Sequence, residues 1–132
     1  MFKPMIQMIK TIQTGDPDIT SAKLILDFKL LAGTANLFRH GLKLDTRRNQ
    51  GKFTITAQCT EACEIEVLVK QTGSEVFNRA MSLRIPAGNS EMVTVSEQVP
   101  NADSWSGTIE SMQLQFSGSP DATVVVDSIF ID

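Results

Sequence analysis

The chain has 132 residues, of which 42% are hydrophobic and 20% charged, and its formal net charge is −3. That length suits one domain, able to bury about two-thirds of its unfolded surface without staples. Slight acidity and the lack of a clustered basic face argue against nucleic acid, whose binding is carried by grouped cations, and no apolar run reaches the ~18 residues of a membrane-crossing helix.

Residues 1–20 fit neither strict alternation nor a helical stripe. Phe2, Met5, Ile6, Met8, Ile9 and Ile12 are apolar, Pro4 can open a short helix that Gly15 closes, and an edge strand or arm is the other reading. We therefore divide the chain into an N-terminal arm or edge segment, 1–20, and a single β-sandwich domain, 21–132. Phe2, Met5, Met8 and Ile9 are the candidate contacts of the arm, because adaptable methionines suit docking on a protein partner or a second copy. The start shows neither the continuous apolar stretch nor the small-residue cleavage site of a signal peptide. Cytoplasmic synthesis is the expectation, with virion association, or an extracellular site if the domain is cut from a longer secreted protein.

From Lys23 onward the period is two. Leu24, Leu26, Phe28 and Leu30 share a face, and the stretch 31–37 reads as a loop able to hold one helical turn. Phe38, Leu42 and Leu44 alternate loosely with Arg39 and Lys43. Phe53, Ile55 and Ala57 oppose Lys52, Thr54 and Thr56; Ile65, Val67 and Val69 oppose Glu64, Glu66 and Lys70. Met81, Leu83 and Ile85 follow, then Met112, Leu114 and Phe116 opposing Ser111, Gln113 and Gln115, and Val124 to Ile131 closes the chain. One buried face per strand is the mark of antiparallel sheets. Turn signals such as Asn49-Gln50-Gly51, Thr72-Gly73-Ser74 and Pro86-Ala87-Gly88-Asn89 separate the runs. The fold expected is an all-β antiparallel sandwich, a jelly roll of eight to nine strands.

Cys59 and Cys63 flank Thr60-Glu61-Ala62. If their strands form a hairpin, the two face each other at about 4.5–5.5 Å between Cα atoms, within disulfide range. Reduced structural thiols and a hairpin disulfide both fit, and two thiols without a nearby His make no zinc site. His40 is the only histidine, and catalysis by His needs an orienting partner and a nucleophile, so it reads as structural. Glu64 and Glu66 read as a solvated face rather than a glycosidase pair. Asp16, Asp18, Asp127 and Asp132 are the candidates for a structural calcium, which takes about six to eight oxygens. Arg47-Arg48 reads as a solvated turn. No catalytic residues and no other cofactor are expected.

The segments Leu42-Lys43-Leu44-Asp45 with Gly51-Lys52-Phe53-Thr54-Ile55, Leu83-Arg84-Ile85-Pro86-Ala87-Gly88, Trp105-x-Gly107-x-Ile109 and Val126-Asp127-x-Ile129 resemble, in order and spacing, the galactose-binding-like jelly rolls. That superfamily includes many carbohydrate-binding modules. The resemblance covers about Phe38 to Ile131 and implies paired first and last strands, often a structural calcium, and a ligand face without a catalytic centre. Sugar-binding members present flat aromatic platforms, yet this chain has no Tyr, its one Trp reads as a core cap, and Phe28, Phe38, Phe53 and Phe116 fall on positions read as buried. The first expectation is thus a non-catalytic structural subunit that docks on or assembles into a larger complex, such as a virion (capsid) decoration protein. The rival is a carbohydrate-binding module accessory to a polysaccharide-active enzyme, with Lys52, Thr54, Thr56, Gln113 and Gln115 contacting sugar from one face.

Overall fold

Two-residue periodicity with one buried face per strand requires a second sheet to cover that face, and the structure supplies it. A computed structural model describes residues 13–14, 26–48, 50–88, 91–100 and 102–131. The arm residues Phe2, Met5, Met8 and Ile9, and Asp16, Asp18 and Asp132, lie outside them. The strands are β1 (Gln13–Thr14), β2 (Leu26–Lys29), β3 (Thr34–Asp45), β4 (Lys52–Cys59), β5 (Cys63–Gln71), β6 (Asn78–Ile85), β7 (Val93–Gln98), β8 (Thr108–Gly118) and β9 (Thr123–Ile131). One sheet runs β3-β8-β5-β6. The other runs β1-β9-β4-β7, with β2 also on β9. The all-β antiparallel jelly-roll sandwich is therefore present; the two-residue β1, parallel to Phe130–Ile131, is the exception to antiparallel pairing. First and last strands pair: β1 lies parallel and β2 antiparallel to β9.

The core is built from the alternation read in the sequence. Phe53, Ile55 and Ala57 of β4, Ile65, Val67 and Val69 of β5, and Leu114 and Phe116 of β8 are fully buried. Phe28 meets Phe116 edge-on, with ring centroids 5.2 Å apart. Trp105 lies buried beyond the short 3₁₀ turn Ala102–Ser104 and meets Phe53 edge-on at 5.6 Å. The indole caps the core, as expected. Gly51 makes room for it. At φ +81° a Cβ on residue 51 would stand 2.8 Å from Val99 and 3.0 Å from the indole. Gly51→Ala combines left-handed strain with this clash, so a loss of about 2–4 kcal/mol in urea unfolding is expected.

Two expectations are corrected. Residues 31–37 hold no helical turn. Ala32 and Gly33 both have positive φ, at 54° and 83°, and close a tight turn bridged from Leu31 to Thr34. This is the two-residue turn that such φ pairs favour. It launches β3 at Thr34, with Ala35 and Leu37 buried. The second correction is Phe38, which belongs to the outer face and is only half-buried. The pairing of β3 with β8 shifts between His40 and Leu44, and Gly41 sits in that irregularity at φ +73°. The shift changes which parity faces the core. Leu44 points in with the even residues, whereas Leu37 upstream points in with the odd ones.

Candidate sugar-binding face

The outer face of the β3-β8-β5-β6 sheet is a grid set by register. Across the strands run Thr34–Ser117–Glu64–Arg84, then Asn36–Gln115–Glu66–Ser82, then Phe38–Gln113–Leu68–Arg79, and finally His40–Ser111–Lys70. Cross-strand neighbours on one face lie close enough to interact directly.

Three rings meet at one corner of this grid. The Phe38 and His40 rings are stacked, 5.8 Å between centroids and 10° from parallel. Phe77, from the loop before β6, meets Phe38 edge-on at 6.2 Å. Phe38 and Phe77 are half-buried and His40 is exposed. The imidazole is held in place, with Nδ1 3.1 Å from Oγ of the buried Ser111. Beside the rings, the Gln113 amide nitrogen donates to Asn36 Oδ1 at 2.9 Å. That bond fixes both amides while leaving the Asn36 nitrogen to donate and the Gln113 oxygen to accept elsewhere.

Three ion pairs lie on or beside this face. Arg84 lies 3.7 Å from Glu64, Arg79 3.5 Å from Glu66, and Lys70 3.9 Å from Glu110. Pairs this exposed contribute little stability. Glu64 and Glu66 thus lie on the solvated face expected of them, where the structure adds an arginine partner for each.

The structure divides the predicted sugar contacts. Gln113 and Gln115 lie on the face just described, but Lys52, Thr54 and Thr56 stand on β4, on the outer face of the other sheet. The whole sandwich thickness separates the two sets, so they cannot share one sugar. The β4 hydroxyls are engaged across the strand pair: Thr54 Oγ1 lies 2.7 Å from Ser96 Oγ, and Thr56 Oγ1 2.9 Å from Thr94 Oγ1.

Cys59 and Cys63 are not across a hairpin. β4 and β5 belong to different sheets, and Thr60–Ala62 carries the chain from one to the other. Both thiols are buried and free, with sulfurs 3.1 Å apart. Asp127 is the extra residue of an irregularity where Thr56 pairs with Ser128 but Ala57 with Val126. Among the described residues no cluster of three His, Cys, Asp or Glu is placed to hold a metal. Asp127 alone falls short of a calcium site, which would need further ligands from outside them. Arg47 is exposed and holds Asp45 through bonds of 3.1 Å from Nε and Nη2 and 3.0 Å from its backbone N–H. These hydrogen bonds keep the Asp45 carboxyl below the usual carboxylate range. The basic pair is a solvated turn.

Sequence reading missed Phe38, Phe77 and Asn36. The available signal was the pair Ala35 and Leu37, whose inward parity places Asn36, Phe38 and His40 outward together.

The architecture is that of the jelly-roll β-sandwiches found in carbohydrate-binding modules, as the resemblance implied. No protein-family model matches the chain, and no curated protein does. Solved structures do. A family 28 module specific for non-crystalline cellulose is 15% identical, with a TM-score of 0.59 over 92% of this chain and 86% of that one. A family 6 module from Clostridium stercorarium, in complex with cellobiose, is 14% identical, with a TM-score of 0.54 over 93% of this chain and 98% of that one. A family 43 arabinoxylan arabinofuranohydrolase from Bacillus subtilis is 12% identical with a TM-score of 0.57; the match takes in 91% of this chain but only 23% of the enzyme. At such identities the likeness is one of fold. Among the described residues, no helix is long and apolar enough to cross a membrane.

Proposed function

We propose that the protein is a non-catalytic carbohydrate-binding module whose sugar site is the outer face of the β3-β8-β5-β6 sheet. The carrying observation is the solvent-facing cluster of Phe38, His40 and Phe77 beside the fixed Asn36–Gln113 amide pair. Sugar rings have an apolar face of C–H groups and a rim of hydroxyls. Aromatic rings take the first, and oriented amides take the second. The neighbours favour this reading over the capsid-decoration one, which none of those described supports. The hydrolase match spans too little of that enzyme to carry its activity here.

Electrophoresis through gels containing hydroxyethylcellulose, xylan or galactan tests the proposal. At least one polysaccharide should retard the native protein. Uniform mobility across a broad panel of neutral and acidic polysaccharides would refute it. Gln113→Ala removes one amide and releases Asn36 from its fixed orientation. Loss of about 1–1.5 kcal/mol of hydrogen bonding weakens binding by about 10-fold, which titration calorimetry would read.

A further inference from the structure

Cys59 ends β4 in one sheet and Cys63 opens β5 in the other. They are the only cysteines of the chain, and their sulfurs meet at 3.1 Å, the two residues being 0% and 2% exposed. The surroundings are fastened. The Gly88 N–H donates to Cys59 O at 3.0 Å, Thr60 N–H to Thr123 O at 3.0 Å, and Thr123 N–H to Thr60 Oγ1 at 2.9 Å. The two sulfurs thus meet on a rigid crossover. Cys63 also forms part of a surface depression of about 240 Å³, lined with Ala62, Glu64, Arg84, Ser117 and Gly118. Gly118 leaves that depression open towards the thiol: a Cβ there would lie 3.1 Å from Ala62 O and 3.2 Å from Cys63 Cβ.

We propose that Cys59 and Cys63 are an oxidation site, which a peroxide converts to a disulfide tying the two sheets together. Hydrogen peroxide is close to water in size and fits the depression. The shared hydrogen bond lowers the Cys59 thiol and raises that of Cys63, while burial pushes both up. The two sulfurs share one hydrogen bond, so loss of a single proton from the pair leaves one thiolate held by the neighbouring thiol. That thiolate attacks one peroxide oxygen, the O–O bond breaks, and a sulfenic acid forms with release of hydroxide, which takes up the proton lost by the pair. The other cysteine then attacks the sulfenic sulfur. The S–S bond forms, the S–O bond breaks, and the hydroxyl leaves with that cysteine's proton as water. In sum, two thiols and one hydrogen peroxide give one disulfide and two waters.

Native protein treated with stoichiometric hydrogen peroxide should become lighter by two hydrogen atoms and yield a single peptide cross-link between Cys59 and Cys63. Its Tm should rise by about 5 °C, and dithiothreitol should reverse both changes. Cys59→Ser, which keeps the sulfur that lines the depression, should instead stop at a sulfenic acid that dimedone traps. The cross-link in the wild-type chain tests the site even if that variant folds poorly. Thiols that stay reduced while methionines gain oxygen would overturn the proposal. So would disulfide-linked dimers, or a cross-link that forms only after denaturation.

Discussion

Trp105→Ala is expected to lower the unfolding free energy by about 3–5 kcal/mol, the usual cost of removing a large buried aromatic side chain. The indole is 7% exposed and lies edge-on to Phe53, a fully buried side chain. It also occupies the space that Gly51 keeps clear and that Val99 borders. Deleting it opens a cavity against Phe53, whose strand β4 is paired on both sides and cannot move far to fill it. Urea unfolding followed by circular dichroism reads the loss; fluorescence cannot, because the chain has a single Trp. A change under about 1 kcal/mol would show that the indole is peripheral.

Phe38→Ala has the largest expected effect on binding. The ring is half-buried on the outer face, where it supports both His40 and Phe77. Removing it deletes the apolar surface on which the proposed site rests and takes away the ring contact of both His40 and Phe77. Losses of about 2–4 kcal/mol are typical of such anchors, equivalent to at least about 30-fold in affinity. Stability should change far less than in Trp105→Ala, since the ring contributes nothing to the inter-sheet core. Calorimetric titration with the polysaccharide that retards the native protein separates the two effects. Because Trp105 is buried, sugar should leave its emission wavelength unchanged.

Much of the sandwich could be read from residue order. Alternation in Lys52–Cys59, Cys63–Gln71 and Thr108–Gly118 translates directly into buried and outward rows. Trp105 as core cap was legible too, whereas the pairing of the terminal strands came only from the family resemblance. What period two cannot carry is which sheet a strand joins. Hence Thr54 and Gln113 looked like neighbours, and Cys59 and Cys63 looked like hairpin partners. Strand β7 was faint for another reason: it is an edge strand with only Val93 and Val95 half-buried. The candidate site was hidden by the irregularity at Gly41, which reverses inward parity within one strand. Leu44 then suggests that Phe38 points inward, and the ring cluster disappears from view.

Chemical-shift mapping tests the location of the site most directly. Amide resonances of the isotope-labelled protein would be followed while an oligosaccharide of the retained polysaccharide is titrated in. The account predicts that shifts concentrate at Asn36, Phe38, His40, Phe77, Gln113 and Gln115. Shifts centred instead on Lys52, Thr54, Thr56 and Ser96, on the opposite face, would contradict it.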